Sequence, residues 1–389
     1  MRGPAGEWIT PLFLGLVPRP TRDLLRTRVV ERAPPGDQRR APVRSAPPPE
    51  SPRNLRARVA RRVRRVGNRA GSRLVLRGPL WDGSSVPDPE GRHGPAHGEA
   101  LRLAVLGDSS AVTVGVTRVE QTVAAVLADG LATGLGCPVD VHVKARAGAT
   151  TGSMGRQIRR ASRLGPGVAI VQIGGNDVFL PVSLRRTAAR LAGHVGNLRA
   201  GGWEVVVTSC PDVGAAGALR RWARPLGRWR SRRLASLQTA AALRAGAAVV
   251  SLTAPEFRTQ PQALYCADGF HPSPAGYRLF QDRALPAILA AGHAHRNRTL
   301  SPAAGRCPSD EPRSGGHDTH YPYGDYELTV PEAMREIHRR PGSTFFPRIS
   351  PSGALSVWCV VWPTPAPPSA VPPTFDRRPG HATAQAGAR

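Results

Sequence analysis

Between residues 100 and 294, short apolar runs alternate with longer segments of helical spacing. The runs at 103–106, 139–143, 168–173, 204–208 and 248–252 are rich in Val, Ile and Leu and carry little polar alternation. Such runs predict strands buried on both faces. The segments at 121–132, 154–162, 184–199, 218–245 and 274–289 predict helices between them. The 218–245 segment stands apart, because it carries Trp222, Trp229 and a heavy load of arginine. Strands alternating with helices imply a parallel sheet covered on both sides. The expected architecture is a three-layer α/β/α sandwich, flavodoxin-like in build, over residues 99–294.

The flanks read differently. Residues 1–98 and 295–389 are dominated by Pro, Gly, Ser and Arg, and neither stretch has the apolar content to build a core, so both are expected to be largely disordered. Within the first, residues 54–69 place Leu55, Val59, Val63 and Val66 on one narrow stripe of an arginine-rich helix. That helix is either a solvated element or an interfacial one on anionic lipid. In the second flank, 331–339 has the pattern of a short helix and 354–362 that of a strand, with no partner evident for either. The apolar segment at 9–17 lacks both a strong basic flank and a small-residue cleavage site, and no run approaches the roughly 20 residues that cross a bilayer. The location stays open on those grounds, with the cytoplasm favoured.

Charge changes the picture less than its size suggests. The net charge is +27, but Lys144 is the only lysine. Arginine, alanine, glycine and proline rise together, as a biased base composition would produce, so nucleic acid is not expected as a partner. Peripheral membrane contact through 54–69 stays open. The five cysteines, Cys137, Cys210, Cys266, Cys307 and Cys359, are widely spaced and show no CxxC or Cys/His cluster. No metal or other cofactor is implied, and a monomer is expected.

The chemistry sits at the strand ends. The first strand runs into Gly107-Asp108-Ser109. The loop at 145–152 holds Gly148, the third run leads into Gly174-Gly175-Asn176-Asp177, and Asp268-Gly269-Phe270-His271 precedes the last helix. In an open α/β sheet these carboxyl-edge loops converge. A serine hydroxyl needs a base, which His271 supplies near neutral pH, and Asp268 can fix the tautomer of the imidazole. The oxyanion of a tetrahedral intermediate needs donors. The Ser109 and Gly148 N–H groups and the Asn176 side-chain amide are the candidates. Asp108 and Asp177 read as structural, bonding loop N–H groups.

Taken together and in order, these four blocks resemble the SGNH hydrolases, or GDSL-type esterases and lipases, and most of all their compact bacterial branch. The resemblance covers about residues 101–289. It implies Ser109 as nucleophile, His271 as base, Asp268 as its partner, and Ser109, Gly148 and Asn176 as the oxyanion hole. The family's leucine after the serine is Ser110 here. The implied activity is hydrolysis of a carboxylic ester on a small molecule or lipid, through an acyl-enzyme. Acyl transfer to a sugar or other alcohol, or a basic binding protein with an idle site, are the alternatives.

Overall fold

The computed structural model describes residues 75–81, 83–300, 326–350 and 352–361. The basic stripe at 54–69 lies outside them. Five strands form the parallel centre of the sheet: β2 (Leu101–Gly107), β3 (Val139–Val143), β4 (Val168–Gln172), β5 (Glu204–Thr208) and β6 (Ala248–Val250). Their spatial order is β3-β2-β4-β5-β6. The chain therefore steps from β2 to one side, then returns to pair β4 on the other, which makes the β2–β4 edge a topological switch point.

Each strand sorts its side chains between two cores. Leu103, Val105, Ile170 and Val206 face one cluster, and Ala104, Leu106, Val171 and Val207 face the other. The first is closed by α2 (Val123–Leu135) and α7 (Pro274–Leu300). Thr122 caps α2 by accepting from Ala125 N at 3.2 Å, and Gly136 ends it in the left-handed conformation. Gly130 and Gly134 leave room on α2 for Leu285 and Leu289 of α7. The second core is closed by α5 (Leu184–Ala200) and α6 (Arg224–Arg244). Helix α7 continues eleven residues past the expected end at 289, because nothing in 290–300 breaks a helix.

The sheet is not parallel throughout. β1 (Gly91–His93) pairs antiparallel with β3. Beyond β6 come β8 (Thr344–Ile349), β9 (Leu355–Val360) and β7 (Tyr326–Leu328), all antiparallel. Short connections join antiparallel neighbours easily, whereas parallel ones need a crossover. These strands also correct the expected boundaries. Part of the C-terminal flank is ordered, since 326–361 covers the β6 edge with Phe345, Val357 and Cys359 fully buried. The apolar run at 357–362 has β7 and β8 as its neighbours, over the part that is described. The short helix foreseen at 331–339 is present as α8 (Val330–Glu336), and it packs against α6. Part of the N-terminal flank is ordered as well. Leu76 and Leu80 are buried against Leu180 and Leu219, and Leu76 bridges to Leu219. Two apolar residues in an otherwise polar, Pro-rich stretch do not show as a pattern, yet they suffice to dock on a core that already exists.

Candidate active site

The serine turn is built by three constraints. Gly107 ends β2 with φ +142, where a Cβ would run into the Gln172 carbonyl oxygen. Only glycine accepts that backbone and that approach. Gln157, from α3 (Gly155–Ala161), then holds Gly107 from both sides: its Oε1 accepts from Gly107 N at 2.8 Å and its Nε2 donates to Gly107 O at 2.9 Å. Asp108 caps the single-turn helix α1 (Ser109–Val112), with Oδ1 accepting from Ser110 N at 3.0 Å and Ser110 Oγ at 2.8 Å. The residue that departs from the family's leucine thus anchors the cap. Burial pushes the Asp108 carboxyl up, while the bonds from Ser110 and the charge of His271 pull it down, and burial wins. Ser109 is the first residue of α1, and no hydrogen bond among the described residues engages its N–H.

The Asp268 turn does two jobs with two oxygens. Oδ1 accepts from Phe270 N at 2.9 Å and His271 N at 3.0 Å, closing an Asx-type turn. Oδ2 faces His271 Nδ1 at 2.6 Å. Both side chains are almost fully buried. Burial alone would raise the Asp268 carboxyl, but the imidazole bond, the imidazole charge and the two backbone donors bring it below its ordinary value. Trp81 N adds a further donor to Oδ2 at 3.2 Å. His271 Nε2 is buried with no hydrogen-bond partner. It is therefore not bonded to Ser109 Oγ, although both residues line one cavity.

That cavity, of ≈ 80 Å³, lies at the switch point. Asp108, Ser109, Asn176 and His271 form its polar end, and Val213, Leu252, Phe257, Tyr265, Phe270 and Phe280 most of its apolar wall. Asn176, in α4 (Gly175–Val178), donates from Nδ2 to Ala149 O at 2.8 Å, which leaves its second N–H free of that bond. Gly148 is buried in the turn next to Ala149 with φ +71, and it is not part of the cavity wall. Of the five expected site residues, three meet in the cavity, Asp268 stands behind His271, and Gly148 is tied to the rest through Ala149 and Asn176. Asp177 is structural as expected: its Oδ2 accepts from Thr151 N and Oγ1, each at 2.9 Å, and burial raises its carboxyl to about 6.

Three supporting groups were not legible in the sequence: Gln157, the Trp81 N–H and Gln238. Gln238 accepts from Cys210 N and donates to Ile173 O, both at 2.9 Å, so it ties the ends of β4 and β5 together. The only trace of the two glutamines is a polar residue on the buried side of a helix. Among the described residues no group of His, Cys, Asp and Glu is arranged to hold a metal ion. Cys137, Cys210 and Cys266 are free thiols.

A flavodoxin-like sheet with a Gly-Asp-Ser turn, an Asn-Asp loop and an Asp-x-x-His turn at its switch point defines the class of the domain. Residues 105–279 match the model of the GDSL-like lipase/acylhydrolase family. A GDSL-like esterase of Mycobacterium tuberculosis is 36% identical over 196 residues, covering 49% of this chain and 62% of the relative. The chain thus spans less than two thirds of that relative's length. Among solved structures, TesA is 21% identical with a TM-score of 0.41, covering 49% of this chain and 99% of TesA. A catalytic mutant of Axe2, an acetylxylan esterase from Geobacillus stearothermophilus, is 17% identical with a TM-score of 0.41, covering 49% of this chain and 95% of Axe2. Over residues 105–279 the domain is thus similar to the GDSL-type, or SGNH, hydrolases.

Proposed function

We propose that this chain is a serine-dependent carboxylic ester hydrolase working through an acyl-enzyme. One observation carries the reading: a buried imidazole, held by a carboxylate on Nδ1 and unpartnered on Nε2, shares a cavity with a serine at a helix start. A buried polar nitrogen left without a partner costs about 1–3 kcal/mol. A lone pair at Nε2 kept free to accept a proton explains why the fold tolerates that cost. Hydrogen bonds to a general base are often long or absent without substrate, and tighten only in the reacting complex.

In the proposed reaction Ser109 Oγ attacks the acyl carbon as His271 Nε2 takes the hydroxyl proton. Asp268 stabilises the imidazolium and keeps Nδ1 protonated. The oxyanion is met by the Ser109 N–H and the second N–H of Asn176, while Gly148, outside the cavity wall, shapes the turn whose Ala149 carbonyl holds that amide. Collapse breaks the ester C–O bond, and the departing alkoxide takes the proton from Nε2. Water, deprotonated by the same nitrogen, then releases the acid and restores Ser109. The apolar wall selects an uncharged acyl group. The ≈ 80 Å³ of space holds roughly five to eight water-sized groups, which favours a short chain.

Turnover of p-nitrophenyl butyrate by the wild type and Ser109→Ala tests this. The variant should lose at least about 10³-fold in kcat with its melting temperature unchanged. Retained turnover would refute the assignment. Product analysis with an added alcohol separates hydrolysis from acyl transfer.

A further inference from the structure

The arginine-rich helix α6 carries a feature the site does not use. Trp222, in the turn leading into α6, and Leu226 and Trp229 within it are 57%, 54% and 60% exposed. Spacings of four and three residues put them on one face. The opposite face is buried through Ser231, Leu234, Ala235 and Gln238. Two tryptophans and a leucine in a row facing water are an unpartnered apolar stripe.

The surroundings are strongly positive. Beside the stripe is a groove of ≈ 1010 Å³ lined by Arg221, Arg224, Arg228, Arg232, Arg233 and Arg258, with no Asp or Glu in its wall. Arg228 is paired with Asp212, whereas Arg221, Arg232 and Arg233 enter no ion pair among the described residues. The groove also borders the acyl cavity. Phe257 lines both, and along one loop Val213 and Ala216 face the cavity while Gly214 and Ala215 face the groove.

We propose that this face of α6 docks on an anionic lipid surface. Tryptophan and leucine settle at the boundary between headgroups and acyl chains, and arginines beside them reach the phosphates. Charge complementarity selects an anionic surface. The leucine between the tryptophans favours lipid over nucleic acid, since a strand of bases stacks on aromatic rings and gains little from an aliphatic side chain. Docking sets the wall of the acyl cavity against the bilayer. The inference that the bilayer supplies the ester rests on the hydrolase reading, whereas the docking itself does not.

The test uses the full chain with phosphatidylglycerol–phosphatidylcholine vesicles at raised salt, where purely electrostatic attachment of other arginines is screened. Trp222→Ser/Leu226→Ser/Trp229→Ser should partition at least tenfold more weakly than the wild type. Its turnover of soluble p-nitrophenyl acetate should stay at the wild-type level, which also reports an intact fold. In vesicles with brominated acyl chains, tryptophan emission should be quenched in the wild type. Trp222→Phe/Trp229→Phe should bind as well yet lose most of that quenching. Equal partitioning of the triple variant, undiminished quenching in the double variant, or loss of single-stranded RNA binding with vesicle binding intact would each overturn the proposal. If Ser109→Ala kept its soluble turnover, the hydrolase reading would fall while the vesicle result stood.

Discussion

The side-chain amide of Gln157 closes on both backbone polar atoms of Gly107, at 2.8 Å and 2.9 Å, and so fixes the residue two before Ser109. Gln157→Leu keeps the volume and strands a buried N–H and C=O. Each stranded group costs about 1–3 kcal/mol, so denaturant unfolding should show a loss of several kcal/mol. Where the variant still folds, kcat should fall at least about tenfold with KM little changed, because a displaced serine harms attack more than binding.

Asp268→Asn separates the two oxygens of that side chain. The Asx turn through Oδ1 survives, since an amide oxygen also accepts from Phe270 N and His271 N. An amide nitrogen facing Nδ1 would instead favour the wrong tautomer. Ester turnover should fall by about 10³- to 10⁴-fold while the melting temperature moves little. A loss of tenfold or less would mean that the pair at 2.6 Å serves only the turn.

Asp177 gives a pH signature. Its carboxyl titrates at about 6 in the fold and near 3.8 when unfolded. A raised folded pKa favours the fold fully below about pH 3.8, and that contribution is lost as pH rises through about 6. Relative to Asp177→Asn, which cannot titrate there, the wild type should lose on the order of 3 kcal/mol between about pH 4 and pH 7. Denaturant midpoints of both proteins across that range measure the difference. A difference that does not change with pH would contradict the burial argument.

The C-terminal strands belong to the folded unit. Phe345 is fully buried, opposite Val249 on one side and Cys359 on the other. Phe345→Ala should cost about 3–5 kcal/mol. Its kcat should match the wild type at temperatures where it stays folded, because Phe345 is no part of the cavity wall. Unfolding curves and turnover of the same preparation check both halves.

The centre of the fold was legible because parallel strands leave an unbroken apolar signal. Val139–Val143 and Glu204–Thr208 appear at the expected bounds. The site residues were legible because glycine, serine, asparagine and histidine cluster at strand ends. The antiparallel edge was not, since the partners of β9 are short strands separated from it by Pro- and Gly-rich chain. Residues 75–81 hid for a related reason: Trp81 serves Asp268 through its backbone N–H, and a backbone donor leaves no mark on residue identity. Gln157 and Gln238 likewise act on main-chain atoms of distant loops, a relation that exists only once the chain has folded.

The central claim is that Ser109 forms a covalent bond to the acyl carbon. Mass spectrometry of the chain after reaction with a fluorophosphonate tests it directly. The account predicts one adduct, on the peptide containing Ser109, formed far more slowly in His271→Ala. An adduct on another residue, or ester turnover that proceeds with Ser109 never modified, would contradict it.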